Sequence, residues 1–167
     1  DMYFSDLDGD WDANGNSVGT GQQHLFTLTD FLDDSWAHRS YWIFGTKPSL
    51  ATGCSGRDKN LTYGRMLAFD DSTVYGYGRK SVHWSDQLED GPYRLYAKER
   101  TEEGTVRWET PVPLHVRAMV MAGDTIFVAG PTANPGQQYG PSDMDGPGVL
   151  LAVSAEDGEE VGRWELG

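Results

Sequence analysis

Side-chain oxygens are densest near the start of the sequence. Asp6-Leu-Asp8-Gly-Asp10-Trp-Asp12-Ala-Asn14-Gly-Asn16 places a carboxylate or carboxamide at every second position along a loop that contains glycine. A calcium ion takes about six to eight oxygens, and the D-x-D-x-N-G spacing that begins at Asp10 turns several of them to one side. The candidate ligands are therefore Asp6, Asp8, Asp10, Asp12, Asn14 and Asn16, with calcium as the ion. The twelfth position counted from Asp10 is Gly21, where an EF-hand needs a bidentate glutamate, so this is not an EF-hand. Two readings stay open, a looser calcium loop and a solvated turn, because Asp and Asn also bend and cap loops without metal.

Two further places could carry chemistry. His38 and Arg39, with Asp33 and Asp34 upstream, stand just before the apolar run Tyr41-Trp42-Ile43-Phe44. No nucleophile lies at a recognisable spacing from them, so this polar-aromatic cluster reads as ion pairs that lock a fold together. Cys54 sits between Gly53 and Ser55 in a polar loop, with Arg57 and Lys59 nearby. Neighbouring cations lower a thiol's pKa, but no His stands close in sequence to act as its base, and a bystander cysteine is the plainer reading. One cysteine excludes an intrachain disulfide, a zinc cluster and a c-type haem attachment.

The elements that must position such residues are legible from a repeat. Residues 65 to 78 and 117 to 130 superpose without a gap at an offset of 52, Arg65 on Arg117, Leu67 on Met119, Val74 on Ile126, Tyr75 on Phe127 and Gly78 on Gly130. Each copy is two short apolar runs joined by a polar turn, Asp70-Asp71-Ser72 or Ala122-Gly123-Asp124, which is the pattern of a β-hairpin. After each hairpin, Leu95-Tyr96-Ala97 leads through Glu103-Gly104 to Trp108, and Leu150-Leu151-Ala152 leads through Asp157-Gly158 to Trp164. A four-stranded unit thus recurs at a period near that of β-propeller blades. One such sheet cannot cover both its faces, so units of this kind stack. Arg65 and Arg117 are expected in salt bridges between units, Trp108 and Trp164 in the packing between them. A sandwich with chance similarity between hairpins is the competing arrangement.

Composition agrees with an all-β chain. Only 38% of the 167 residues are hydrophobic while 21 are glycine and 8 proline, which suits short strands and many turns, and no sustained helical period appears. A net charge of −13 opposes a nucleic-acid backbone or an anionic membrane as partner. No apolar run is long enough to insert in a membrane as a helix. The boundaries read as a divergent first blade with its acidic loop over residues 1–60, a second over 61–112 and a third over 113–167. The Pro-rich loop 131–148 is the candidate interaction edge. Three blades are too few to close a ring. The sequence starts at Asp1 and ends at Val161–Gly167, where the next hairpin is due, so the expectation is a part of a larger propeller, completed by other polypeptides or by copies of itself.

On these residues the chain resembles the PQQ-like-repeat β-propellers, which include quinoprotein alcohol dehydrogenases and the scaffold lipoprotein of the bacterial outer-membrane assembly machine. Leu95-Tyr96-Ala97…Glu103-Gly104-Thr-Val-Arg-Trp108 and Leu151-Ala152…Asp157-Gly158…Trp164 are similar to the repeat's L-Y-A-x-D-x-x-T-G-x-x-x-W. Phe31-Leu-Asp33-Asp34-Ser-Trp36…His38-Arg39-Ser-Tyr41-Trp42, Gly64-Arg65…Asp70…Val74-Tyr75-Gly76 and Val116-Arg117-Ala118-Met119 look like uncharacterised planctomycete-type members. The resemblance covers residues 24 to 167. It implies an extracytoplasmic location and, for the family's enzymes, a pyrroloquinoline quinone beside calcium and adjacent cysteines. This chain has no cysteine pair and no matching set of calcium ligands and base. The expected function is therefore a non-catalytic propeller segment that acts as a protein-binding or structural scaffold. The alternatives are a fragment of a PQQ-dependent dehydrogenase and a calcium-stabilised cell-surface or filament component.

Overall fold

The computed structural model describes residues 23–27, 42–45, 62–81, 89–101, 104–132 and 146–167. Every regular element among them is a strand and every pairing is antiparallel. β1 (His24–Thr27), β2 (Trp42–Gly45) and β3 (Thr62–Gly64) form a three-stranded sheet in the order β1-β2-β3, which runs past residue 60. β4 (Met66–Phe69), β5 (Thr73–Ser81), β6 (Glu89–Glu99) and β7 (Val106–Pro111) make a four-stranded meander. β8 (Ala118–Ala122), β9 (Thr125–Pro131), β10 (Gly148–Ser154) and β11 (Glu160–Leu166) make a second. The three sheets close no ring among the described residues.

The hairpin repeat holds to the residue. Met66 faces Tyr77 and Phe69 faces Val74 across β4–β5, and Ala118 faces Ala129 and Met121 faces Ile126 across β8–β9, an offset of 52 throughout. Backbone bonds just outside the strands repeat as well, Arg65 N to Tyr77 O at 2.8 Å and Arg117 N to Ala129 O at 2.7 Å. The turns differ in chemistry. Asp70 Oδ1 accepts from the backbone N–H of Ser72 at 2.7 Å and of Thr73 at 2.6 Å, so a side chain ties the first turn. Gly123-Asp124 makes the second turn with Gly123 at φ +59°, left-handed backbone that suits a tight hairpin and favours glycine.

The tryptophan repeat holds less well. Ala97 pairs with Trp108, whereas its equivalent Ala152 pairs with Gly162, and Trp164 stands opposite Leu150, two residues further along β11. Two single-residue differences add up: six residues separate Val153 from its partner Glu160 where seven separate Lys98 from Val106, and Trp164 lies 12 residues after Ala152 where Trp108 lies 11 after Ala97. Gly162 offsets the slip. A Cβ there would lie 2.5 Å from the Trp164 ring, so the absent side chain lets the indole lean over the place that Trp108 occupies in the other sheet.

One apolar core spans the two four-stranded sheets. Tyr75, Tyr77, Leu95 and Ala97 on one side meet Ile126, Val128, Leu151 and Val153 on the other, with Leu114 and Val116 of the connecting segment between them. Alternation fixes which residues enter: β9 reads buried at Ile126, Val128 and Gly130 and half-buried between them. Tyr77, 0% exposed, donates its hydroxyl to Leu114 O at 2.9 Å and accepts from Val116 N at 3.2 Å, which ties the connection to β5. Trp108 donates its Nε1–H to Ala155 O at 2.9 Å and covers Gly158, whose φ of +78° forms the turn that receives the ring. On its other face the sheet β4–β7 meets the first sheet, with Tyr96 Oη donating to Tyr63 O at 2.6 Å and Phe44 5.0 Å from Phe69.

Candidate functional site: an uncharged sheet face

Asp6, Asp8, Asp10, Asp12, Asn14 and Asn16 lie outside the described residues, as do Asp33, Asp34, His38, Arg39, Cys54 and residues 133–145 of the Pro-rich loop. Among the described residues no group of three or more His, Cys, Asp or Glu side chains could hold a metal ion, and no helix is long and apolar enough to cross a membrane.

The repeated arginines part company. Arg65 is buried, with its guanidinium 5.8 Å from the centre of the Tyr93 ring. Tyr93 stacks on Tyr77 at 5.2 Å and meets His115 edge-on at 5.7 Å. The aromatic faces offset part of the cost of taking a cation out of water. Arg117, at the equivalent place, is exposed. All four members of the Arg65 cluster are buried, so this chemistry serves the interior.

At the β4–β5 turn a second polar group is knitted together. Burial pushes the Asp70 carboxyl up, but hydrogen bonds from Ser72 N–H, Tyr75 Oη, Thr73 N–H and the Ser72 hydroxyl outweigh it and hold the group below the usual carboxylate value. Tyr75 moves the other way, raised by burial and by donating to Asp70 Oδ2 at 2.8 Å. Arg107 Nη1 reaches Thr73 Oγ1 at 2.8 Å and Arg100 Nη1 reaches Asp70 O at 2.9 Å. These contacts brace the turn.

The outer face of the last sheet is different. Register carries rows of residues across it: Ala118, Ala129, Leu150 and Trp164, then Val120, Phe127, Ala152 and Gly162. Ala122, Thr125 and Ser154 close the row at one end, Pro131, Gly148 and Leu166 at the other. None is charged, in a chain that is 23% charged. On β11 the charges lie elsewhere, since Arg163 and Glu165 pair with Leu151 and Val149 and so share the opposite face. Arg163 is held there by a bidentate pair with Glu160, Nε to Oε1 at 2.9 Å and Nη2 to Oε2 at 2.7 Å. Val120 is 59% exposed, Trp164 51% and Leu166 45%.

The equivalent face of β4–β7 is the one that Tyr75, Tyr77, Leu95, Ala97 and Trp108 bury against β8–β11. An apolar sheet face open to water is the feature that marks a docking surface. Sequence reasoning placed the interaction edge in the Pro-rich loop and missed this face. The signal was present in alternate positions, as in Ala118-x-Val120-x-Ala122 and Gly162-x-Trp164-x-Leu166.

Compared with protein-family models, with curated proteins and with solved structures, the chain matches none.

Proposed function

We propose that this chain is a non-catalytic segment of a β-propeller, a protein-binding or structural scaffold in an extracytoplasmic assembly, that docks its partner through the outer face of β8–β11. One observation carries the reading: an uncharged apolar face lies open in the last sheet, while its repeat equivalent in the sheet before is covered by a neighbouring sheet. Meanders of four strands that share a core across their faces support the propeller arrangement, in which each sheet shields the next. The extracytoplasmic setting comes from the resemblance to the PQQ-like repeat.

A photo-cross-linking residue at Val120, followed by mass spectrometry of the assembly in its native source, tests the reading. The expected result is stoichiometric capture of one polypeptide through a β-strand peptide. A chain that travels alone with Val120 unreacted overturns it, and a quinone chromophore that travels with the assembly overturns the non-catalytic part.

A further inference from the structure

We infer that the occupant of the outer face of β8–β11 is a four-stranded sheet of this same repeat on another polypeptide, which brings an aromatic side chain of its own over Ala118 and Ala129. The inference rests on the scaffold reading and gives its docking face a partner of stated shape. The covered interface within the chain is the template. There the equivalent face of β4–β7 meets the inner face of the next sheet, β4 lies against β8, and Leu114 and Val116 of the connecting segment stand between the sheets. Trp108, on the last strand of its sheet, reaches the turn before β11, where it donates to Ala155 O and rests on Gly158.

The open face keeps half of that template. Trp164 leans over Gly162, the place of Trp108, so an indole is presented where a turn of the next sheet would receive it. Leu150 and Ala152 stand where Leu95 and Ala97 stand in the covered sheet. The first two strands depart. One row of the covered sheet carries Met66 and Tyr77, and the same row of the open sheet carries Ala118 and Ala129. Tyr77 fills the space beneath Leu114 and Val116 and holds that segment through its hydroxyl. Two alanines leave the place shallow. A packed interface tolerates no such gap, since atoms that line a void lose their contacts. The occupant's own entering segment must supply the missing bulk, and with no hydroxyl facing it an apolar ring is the fit.

Benzophenone-bearing residues placed singly at Ala118 and Trp164 of the full chain, in its native source, test this when each captured peptide is sequenced. The residue at 118 is expected to capture the segment that enters a four-stranded unit, with an aromatic residue in it. The residue at 164 is expected to capture the turn before the last strand of the same unit, with a glycine in it. Ala129→Tyr restores the side chain of the covered sheet, overfills the row and lowers capture at Val120 by roughly 10-fold or more. Val106→Lys, at an exposed site on β7, leaves that capture unchanged. Far-UV circular dichroism confirms that each variant folds. Peptides from a helix or from this chain itself overturn the inference, as do an entering segment without an aromatic residue and an Ala129→Tyr chain captured as well as before. If Val120 captures a polypeptide that lacks the repeat, the scaffold reading stands and this inference falls; with no capture, both fall.

Discussion

Sheet β4–β7 and sheet β8–β11 share their strand order, their hairpin register and the bulge between their last two strands. They differ in what surrounds them. The first has the three-stranded sheet on one face and β8–β11 on the other. The second has a covered inner face and an outer face where Val120, Trp164 and Leu166 meet water. Such a face tends toward polar residues in a sheet that faces solvent. Here it keeps the apolar character of its buried equivalent, and the edge strand places Arg163 and Glu165 on the other side. The comparison shows that the repeat preserves faces as well as strands.

The sharpest way to break the comparison is to remove one aliphatic side chain from the covered core and one from the open face. Leu114→Ala, at a residue 0% exposed between the sheets, is expected to cost about 2–5 kcal/mol in urea unfolding. Val120→Ala on the open face should change monomer stability by less than about 0.5 kcal/mol. A similar cost at both sites would mean that the outer face is covered.

The tryptophans come next. Trp108→Ala removes an indole wedged on Gly158 and bonded to Ala155 O, and a loss of about 2–4 kcal/mol is expected. Trp164→Ala should cost about 1 kcal/mol or less under conditions where the chain is monomeric. Tyr77→Phe keeps the ring but leaves Leu114 O and Val116 N without the hydroxyl, for an expected loss of about 1–3 kcal/mol by the same measurement.

The two turns offer smaller effects. Gly123→Ala forces a Cβ into left-handed backbone and should cost about 1 kcal/mol, while Gly123→Asn should cost less. Asp70 sharpens the contrast through pH. Its folded pKa lies below the unfolded value, so its contribution is present above the unfolded pKa and is lost as pH falls through the folded one. Tyr75 is raised, so its contribution is present below its unfolded pKa and is lost as alkaline pH passes the folded value. Asp70→Asn should flatten the acid limb of the stability–pH curve; an unchanged acid limb would remove Asp70 from the account.

Much of the fold was legible because β-hairpins are local. The apolar runs around Asp70-Asp71-Ser72 and Gly123-Asp124 gave the strands and turns, and the two hairpins pair in registers that repeat at the same offset of 52. The tryptophan spacing misled. Trp108 and Trp164 match in sequence, but the second turn is one residue shorter and Trp164 stands one residue later after its alanine, and together these move it along β11 by one side-chain repeat. The arginine match hid a second divergence, because Arg65 is buried against Tyr93 and Arg117 is exposed. Burial depends on the strands that arrive from elsewhere. The candidate face was readable as an alternation of uncharged residues, but each strand shows only its own part, and pairing was needed to bring the parts to one side.

By itself, then, the sequence determined the hairpins, the four-stranded unit, the acidic character and the uncharged alternation of the last four strands. Those properties depend on neighbours along the chain and on side-chain type. Only the tertiary structure decided that one of two equivalent apolar faces is covered and the other open. Covering a face requires a second sheet brought from a distance in sequence, and no local pattern records whether one arrives.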